Sequence, residues 1–222
     1  GKAPHYQFAC RVGADTPQSD RSALFVERDN IEWELVEPWN GLGMRGNNSS
    51  PMRFNSFVPE ENRLGAEHTL QRDTGAFNRP VVTLTYAAAY LGIAPGPYEL
   101  SCQEISHRFP NGSRRLERPV NQRRIAEMGT QIEAARALLH AASSVFDQGR
   151  APSQLVYSQA KVACSEAGVR VTPDCMSIFG GTAFASRLPF ERYFRDARAG
   201  LVMGMANDMA YEGMIPFMFP DS

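Results

Sequence analysis

The chain is short of several things at once. No pair of its four cysteines, Cys10, Cys102, Cys164 and Cys175, stands at CxxC spacing. That excludes the usual structural zinc ribbons and knuckles. No apolar run reaches the roughly 18–20 residues needed for a membrane helix. The opening Gly1-Lys2-Ala3-Pro4-His5 carries no long apolar stretch of the signal-peptide kind. Charge of one sign is missing: 23 basic and 24 acidic residues leave a formal charge of −1. A nucleic-acid coat needs a basic excess, so that class is set aside. Walker-type loops and GxSxG are absent too, which removes the simplest P-loop and serine-hydrolase readings. Lysine is nearly absent: Lys2 and Lys161 are the only two, and arginine carries the rest of the positive charge. His5, His68, His107 and His140 show no ligand spacing.

What is present is an ordinary globular composition, 43% hydrophobic and 21% charged over 222 residues. A chain of that size can bury its own core, so reduced thiols and a cytoplasmic setting are expected. Residues 1–65 read as β. Tyr6 to Val12 alternates apolar and polar, Ala23-Leu24-Phe25-Val26 is a short apolar run, and Ile31 to Leu35 alternates again. Gly41 to Pro51 is a glycine-rich polar loop, and Met52 to Val58 alternates before stopping at Pro59.

From residue 66 onward the pattern is helical. Ile125, Met128, Ile132, Ala135, Leu139, Ala142 and Phe146 recur at steps of three and four, one stripe of a helix from about Asn121 to Gln148, with Gly149 placed to cap it. Further helices are expected from Pro152–Ser153 toward Val171, from Arg79 to about Leu91, and from Phe190 to Met203. The Arg79–Leu91 segment is apolar nearly all round, which predicts burial on several sides. Four antiparallel helices are the economical assembly, giving an α+β chain. Two clusters carry potential chemistry. Gly180-Gly181 caps a helix or lets backbone approach a ligand. Arg108, Arg114, Arg115, Arg118, Arg123 and Arg124 surround Pro110-Asn111-Gly112-Ser113, either a phosphate-holding loop or a solvated face.

In order and spacing these pieces resemble the acyl-CoA dehydrogenase family. Trp39-Asn40-Gly41-Leu42-Gly43-Met44-Arg45-Gly46 through Val58-Pro59-Glu60 is similar to the stretch closing its middle β-domain. Arg79-Pro80-Val81-Val82 is similar to the start of the first helix of its C-terminal domain, and Gln122 stands at the usual Gln opening the second. Ala160-Lys161, Ile178-Phe179-Gly180-Gly181 and Phe194-Arg195-Asp196-Ala197-Arg198 resemble three further signatures in register. The resemblance implies an α+β fold: residues 1–65 as the C-terminal part of the middle β-domain, and 66–222 as the C-terminal four-helix bundle.

It implies an FAD-dependent α,β-desaturation of an acyl-CoA or acyl-carrier thioester. A glutamate takes the α-proton and the flavin takes the β-hydride. It also implies a homo- or hetero-oligomer in which Arg108, Gln122, Ser177, Gly180 and Gly181 face a neighbour's FAD, with Asp208 at a later flavin-contact position and Asn78 and Arg79 toward substrate. Metal is not implied. The resemblance starts inside the β-domain, so the rest of the flavin site is expected from outside these residues, including from another chain. The usual glutamate position falls on Gly204, and the alternative position on Asn78 or Val82, none of which is a base. Glu212, within Tyr211-Glu212-Gly213, is the remaining candidate, eight residues further on. Two other readings stand beside desaturation: a non-catalytic partner subunit of a heteromeric dehydrogenase, and a repurposed flavin enzyme.

Overall fold

A computed structural model describes residues 3–11, 13–17, 20–150 and 153–220, with the side chains of 71–78 excepted. The side chain of Asn78 and the Pro152 start of an expected helix therefore lie outside the described residues. Among the described residues the chain forms two compact units, residues 1–41 with 45–79, and residues 42–44 with 80–222.

The first unit is antiparallel β. Strands β1 (His5–Cys10) and β2 (Ser22–Glu27) pair along their length, with Tyr6 opposite Val26 and Phe8 opposite Leu24. Strands β3 (Trp33–Leu35) and β4 (Met52–Phe54) form a separate two-stranded ribbon. Strand β5 (Arg63–Leu64) adds to the other edge of β2. The alternation puts Tyr6 and Phe8 on one face of β1, where Phe54 meets both rings edge-on at 5.8 and 4.4 Å.

The second unit is helical and is built around one long central helix. Helix α1 (Leu70–Leu91) starts nine residues before the expected Arg79 and passes from one unit into the other at Pro80. Helix α2 (Pro95–Glu104) begins with Pro95 at its first turn, where a missing N–H costs nothing. Helix α3 (Pro119–Asp147) carries the expected stripe: Met128, Ile132, Ala135 and Ala142 are buried. Helix α4 (Gln154–Phe179), the central one, runs eight residues past Val171 and holds Pro173 inside. Its small buried residues, Ala160, Cys164, Ala167, Gly168 and Cys175, let neighbours approach closely, and helices from both before and after it in the chain pack on it.

Two helical expectations need correction. The Phe190–Met203 helix is broken at Arg198 into α6 (Phe190–Ala197) and α7 (Ala199–Val202), following a short turn α5 (Gly181–Phe184). The break comes because backbone bonding there shifts to i+3 spacing, Arg198 to Arg195 and Leu201 to Arg198. The Arg79–Leu91 stretch is buried on one face only: Leu84, Ala87, Tyr90 and Leu91 are inside, whereas Val82, Tyr86, Ala88 and Ala89 are exposed. The chain ends in α8 (Asn207–Met218), which buries Asn207, Ala210 and Met214 against α4. The four cysteines are free thiols. Burial pushes the thiol of Cys164 up to about 12 and that of Cys175 up to about 11, so both are inert packing groups. No helix among the described residues is long and apolar enough to cross a membrane.

Candidate functional site

The residues singled out from the sequence fall at two places along α4. The first is its C-terminal end. Gly180 ends the helix with φ 59° and ψ −141°, backbone open essentially only to glycine, and its N–H still bonds back to Met176. A Cβ at Gly180 or at Gly181 would meet nothing within 4 Å, so bare backbone faces open space. Ser177 is exposed and its hydroxyl donates to the Pro173 carbonyl at 2.9 Å. Phe184, just beyond, is 80% exposed.

The arginine-rich loop reaches this end. Arg108 and Arg114 bridge in antiparallel fashion around the Gly112 turn, and the Arg108 guanidinium donates to the Gly112 carbonyl at 2.8 Å. Arg115 lies against two rings, 4.5 Å from the Phe109 centroid and 4.9 Å from that of Phe179 on α4. Arg124 on α3 pairs with Asp174 on α4 at 3.4 Å. Gln122 is exposed, and its amide donates to the Leu116 carbonyl at 2.9 Å. Beside these groups a pocket of about 510 Å³ is lined by Phe109, Arg115, Phe179, Thr182, Arg187 and His107, among others. The fold thus brings Arg108, Gln122, Ser177, Gly180 and Gly181 to one end of the bundle. Arginine donors, exposed glycine backbone and aromatic faces are a donor set for a phosphate-bearing aromatic ligand.

The second place is the turn between α7 and α8. Gly204 has φ 79°, and a Cβ there would stand 3.0–3.3 Å from three ring atoms of Tyr86 on α1. Tyr86 stacks on Tyr90 at 6.0 Å, and the Tyr90 hydroxyl donates to the Met203 carbonyl at 2.9 Å. Asp208 lies exposed in the first turn of α8. Glu212 is exposed one turn later and makes no hydrogen bond or ion pair among the described residues. Its neighbours are engaged: the Tyr211 hydroxyl donates to Glu166 at 2.7 Å, and the Gly213 carbonyl accepts from Gln154 at 3.2 Å. From Lys161, beside this turn, to Phe179 is about 27 Å of helix at 1.5 Å per residue, so the two places are separate. Arg79 is exposed and belongs to the other unit; the side chain of Asn78 is outside the described residues.

Sequence reasoning missed two features. The loop residues Leu42–Met44 belong to the helical unit. There the Met44 N–H donates to Asp196 at 2.6 Å, Arg195 donates to the Leu42 carbonyl at 3.0 Å, and a Cβ on Gly43 would overlap the Arg195 backbone. Two of the motifs singled out from the sequence thus hold each other across 152 residues. The other is Lys161, fully buried under the Gly204 turn, with its ammonium donating to the Gly200 carbonyl at 2.9 Å, to Asn207 Oδ1 at 2.7 Å and to the Met205 carbonyl. A lone lysine in a small-residue helical face was the available signal.

Against known proteins, residues 81–210 match the family described as "Acyl-CoA dehydrogenase, C-terminal domain". The chain belongs to the acyl-CoA dehydrogenase family. It is 33% identical over 211 residues to a cyclohexane-1-carbonyl-CoA dehydrogenase of Geobacter metallireducens, covering 93% of this chain and 54% of that one. With the mitochondrial short/branched chain specific acyl-CoA dehydrogenase of Bos taurus it shares 32% identity over 183 residues, 82% of this chain and 42% of the relative. The fold matches the butyryl-CoA dehydrogenase of Megasphaera elsdenii with a TM-score of 0.89 at 22% identity, over 97% of this chain and 56% of that one. The chain spans about half the length of the curated relatives it matches. Within that half, the α+β architecture of an antiparallel β unit followed by a helical bundle is that of the family.

Proposed function

We propose that this acyl-CoA dehydrogenase family chain supplies the bundle portion of an FAD-dependent oxidoreductase acting on the CH–CH bond of an acyl-CoA or acyl-carrier thioester. The observation that carries it is the C-terminal end of α4. Gly180 and Gly181 offer backbone with open space where a Cβ would stand, beside exposed Arg108 and the Arg115–Phe109–Phe179 stack. Those residues fit the pyrophosphate and adenosine end of a dinucleotide, held in the proposal by Arg108, Gln122, Ser177, Gly180 and Gly181 through side-chain donors and bare backbone. When bound, the flavin supplies two-electron redox chemistry; this chain's residues bind and orient it. The exposed apolar face of α1 (Val82, Tyr86) supports assembly, since a partner or further chain would bury it.

In this reading the Glu212 carboxylate accepts the α-proton of the thioester, with Asp208 on the same helix toward the flavin. The experiment mixes the chain and any co-encoded dehydrogenase subunit with FAD, an acyl-CoA series and an electron acceptor. Bleaching of the oxidised flavin by one acyl-CoA is expected, and Glu212→Gln should lower the rate of bleaching by about a hundredfold or more without releasing flavin. Full flavin occupancy with no bleaching by any thioester overturns desaturation.

One observation favours a second reading. Gly204 presents a hydrogen where the family resemblance calls for a carboxylate, and the Tyr86 ring stands beside it. A non-catalytic partner subunit, completing the flavin site of a catalytic neighbour, needs no base there. Then Glu212→Gln leaves bleaching unchanged, while Arg108→Ala weakens flavin retention by the mixed assembly.

A further inference from the structure

The buried ammonium of Lys161 is the one charged group in the described core that neither ion pair nor cofactor reading explains. Its side chain has no exposure, and no carboxylate pairs with it among the described residues. An ammonium has three donors. All three are used, and all three go to one eight-residue segment: the Gly200 carbonyl on α7, the Met205 carbonyl in the turn and Asn207 Oδ1 at the start of α8. Neighbours reinforce the grip. Ser165 donates to the same Asn207 oxygen at 3.1 Å, and Tyr90 ties down Met203. Gly200 makes the approach close enough, since a Cβ there would stand 2.9 Å from Ser165 Cβ and 3.2 Å from the Tyr90 ring. The segment is thus pinned at Gly200, Met203, Met205 and Asn207, on both sides of the positive-φ Gly204 that meets Tyr86.

We infer that Lys161 is the positioning residue of the Gly200–Asn207 segment, its ammonium fixing the shape of the wall that this segment gives to the proposed thioester site. The inference takes its functional meaning from the proposed function, while the clamp itself rests on the contacts alone. Arginine could not replace it: a planar fork cannot direct three donors from one nitrogen to three converging oxygens. Loss of one proton leaves two donors for three acceptors, so the segment loosens at alkaline pH. The groups facing Lys161 are few. Tyr90 presents its ring at 5.7 Å, and burial raises its phenol. Of the charged groups on the packed elements, Asp196 accepts from Met44, Arg195 pairs with Glu191 and Arg198 lies over Phe194. Glu166 is held by Tyr211 and Arg170, and Asp208 is exposed. Burial pushes the Lys161 ammonium down to about 8, which puts its release in an accessible range.

The test uses the full chain with 13C-methyl methionine, without flavin or thioester, so it stands or falls separately from the desaturase assay. Met203 and Met205 methyl signals, assigned by Met203→Leu and Met205→Leu, report the segment; the buried Met128 methyl reports the core. In the wild type, a titration from about pH 6 to about pH 10 should move both segment signals through one midpoint near 8 and broaden them above it, leaving Met128 still. Lys161→Met should show the loosened spectrum at every pH with no midpoint. Tyr90→Phe should free Met203 yet keep the midpoint at Met205. An unmoved wild-type segment across that range, a midpoint that survives in Lys161→Met, or one that vanishes in Tyr90→Phe would each overturn the inference. If Lys161→Met disturbs Met128 as well, the wild-type and Tyr90→Phe titrations decide it.

Discussion

Two glycines in the left-handed half of backbone space mark the two candidate regions, and their surroundings are opposite. Gly180, φ 59°, faces open space at the end of α4, with arginines and aromatic rings nearby. Gly204, φ 79°, is exposed beside the Tyr86 ring, in a segment pinned by Lys161 and Tyr90. Both positions need glycine for the backbone, but only one leaves room for something else. An open helix end with arginines nearby can take an anion through those side chains, not through the helix terminus itself. A turn flanked by an aromatic ring is a wall. Under the proposed function the first region would face the dinucleotide, while the glycine at the position where the resemblance calls for a proton acceptor is exposed but has the Tyr86 ring beside it.

The largest stability effect is expected apart from both glycines, where the Leu42–Met44 loop meets α6. Gly43→Ala would drive a Cβ into the Arg195 backbone, which has no rotamer to yield, and would disturb the Met44–Asp196 bond. A loss of about 3 kcal/mol in denaturant unfolding of the helical unit is expected. A value under about 0.5 kcal/mol would mean that the loop does not hold α6 in solution. Gly204→Glu tests the wall itself. Restoring a carboxylate there costs a strained φ and a contact with the Tyr86 ring, about 2 kcal/mol. Adding Tyr86→Ala should return about 1 kcal/mol of coupling in a double-mutant cycle. Strict additivity would show that the ring does not close the turn.

How much of this the sequence alone reveals depends on range. The α3 stripe and the cap at Gly180 are local, set by a 3.6-residue period and by backbone conformation, and both are legible. The early start of α1 and the existence of α2 and α8 are not, because Pro80, Pro95 and Pro216 punctuate sequence that tertiary packing nevertheless keeps helical. The grip of Leu42–Met44 on Arg195–Asp196 joins residues 152 apart in the case of Met44 and Asp196, and no spacing rule reports it. Lys161 stands in the sequence only as half of a signature. Its burial is invisible in a pattern that scores lysine as polar, although the rarity of lysine here is itself a hint.

Lys161 also gives the wall a pH signature of smaller size. Its folded-state value is depressed, so between about 8 and the ordinary lysine range the unfolded chain binds more protons than the folded one. Stability from this group therefore rises with pH across that window, as the cost of burying a charge is relieved, even while the segment itself loosens. The wild type should therefore gain at least about 1 kcal/mol of stability relative to Lys161→Met from below to above the window. A difference that stays flat with pH would remove Lys161 from the core's electrostatics.

The smallest stability change is expected on the open side, and there it is the informative one. Gly181 begins α5 with nothing within 4 Å of the point where a methyl would stand. Gly181→Ala should change unfolding free energy by less than about 0.5 kcal/mol, because alanine suits a helical residue better than glycine and meets no neighbour. If the face is a dinucleotide receptor, the same methyl stands where phosphate must approach backbone, and flavin retention by the assembled oligomer should fall about tenfold. Gly204→Glu would show the reverse: a clear stability loss with flavin retention little changed. Were Gly181→Ala to leave both stability and flavin retention untouched, the open end of α4 would be plain solvent-facing cap, and the contrast between the two glycines would lose its functional side.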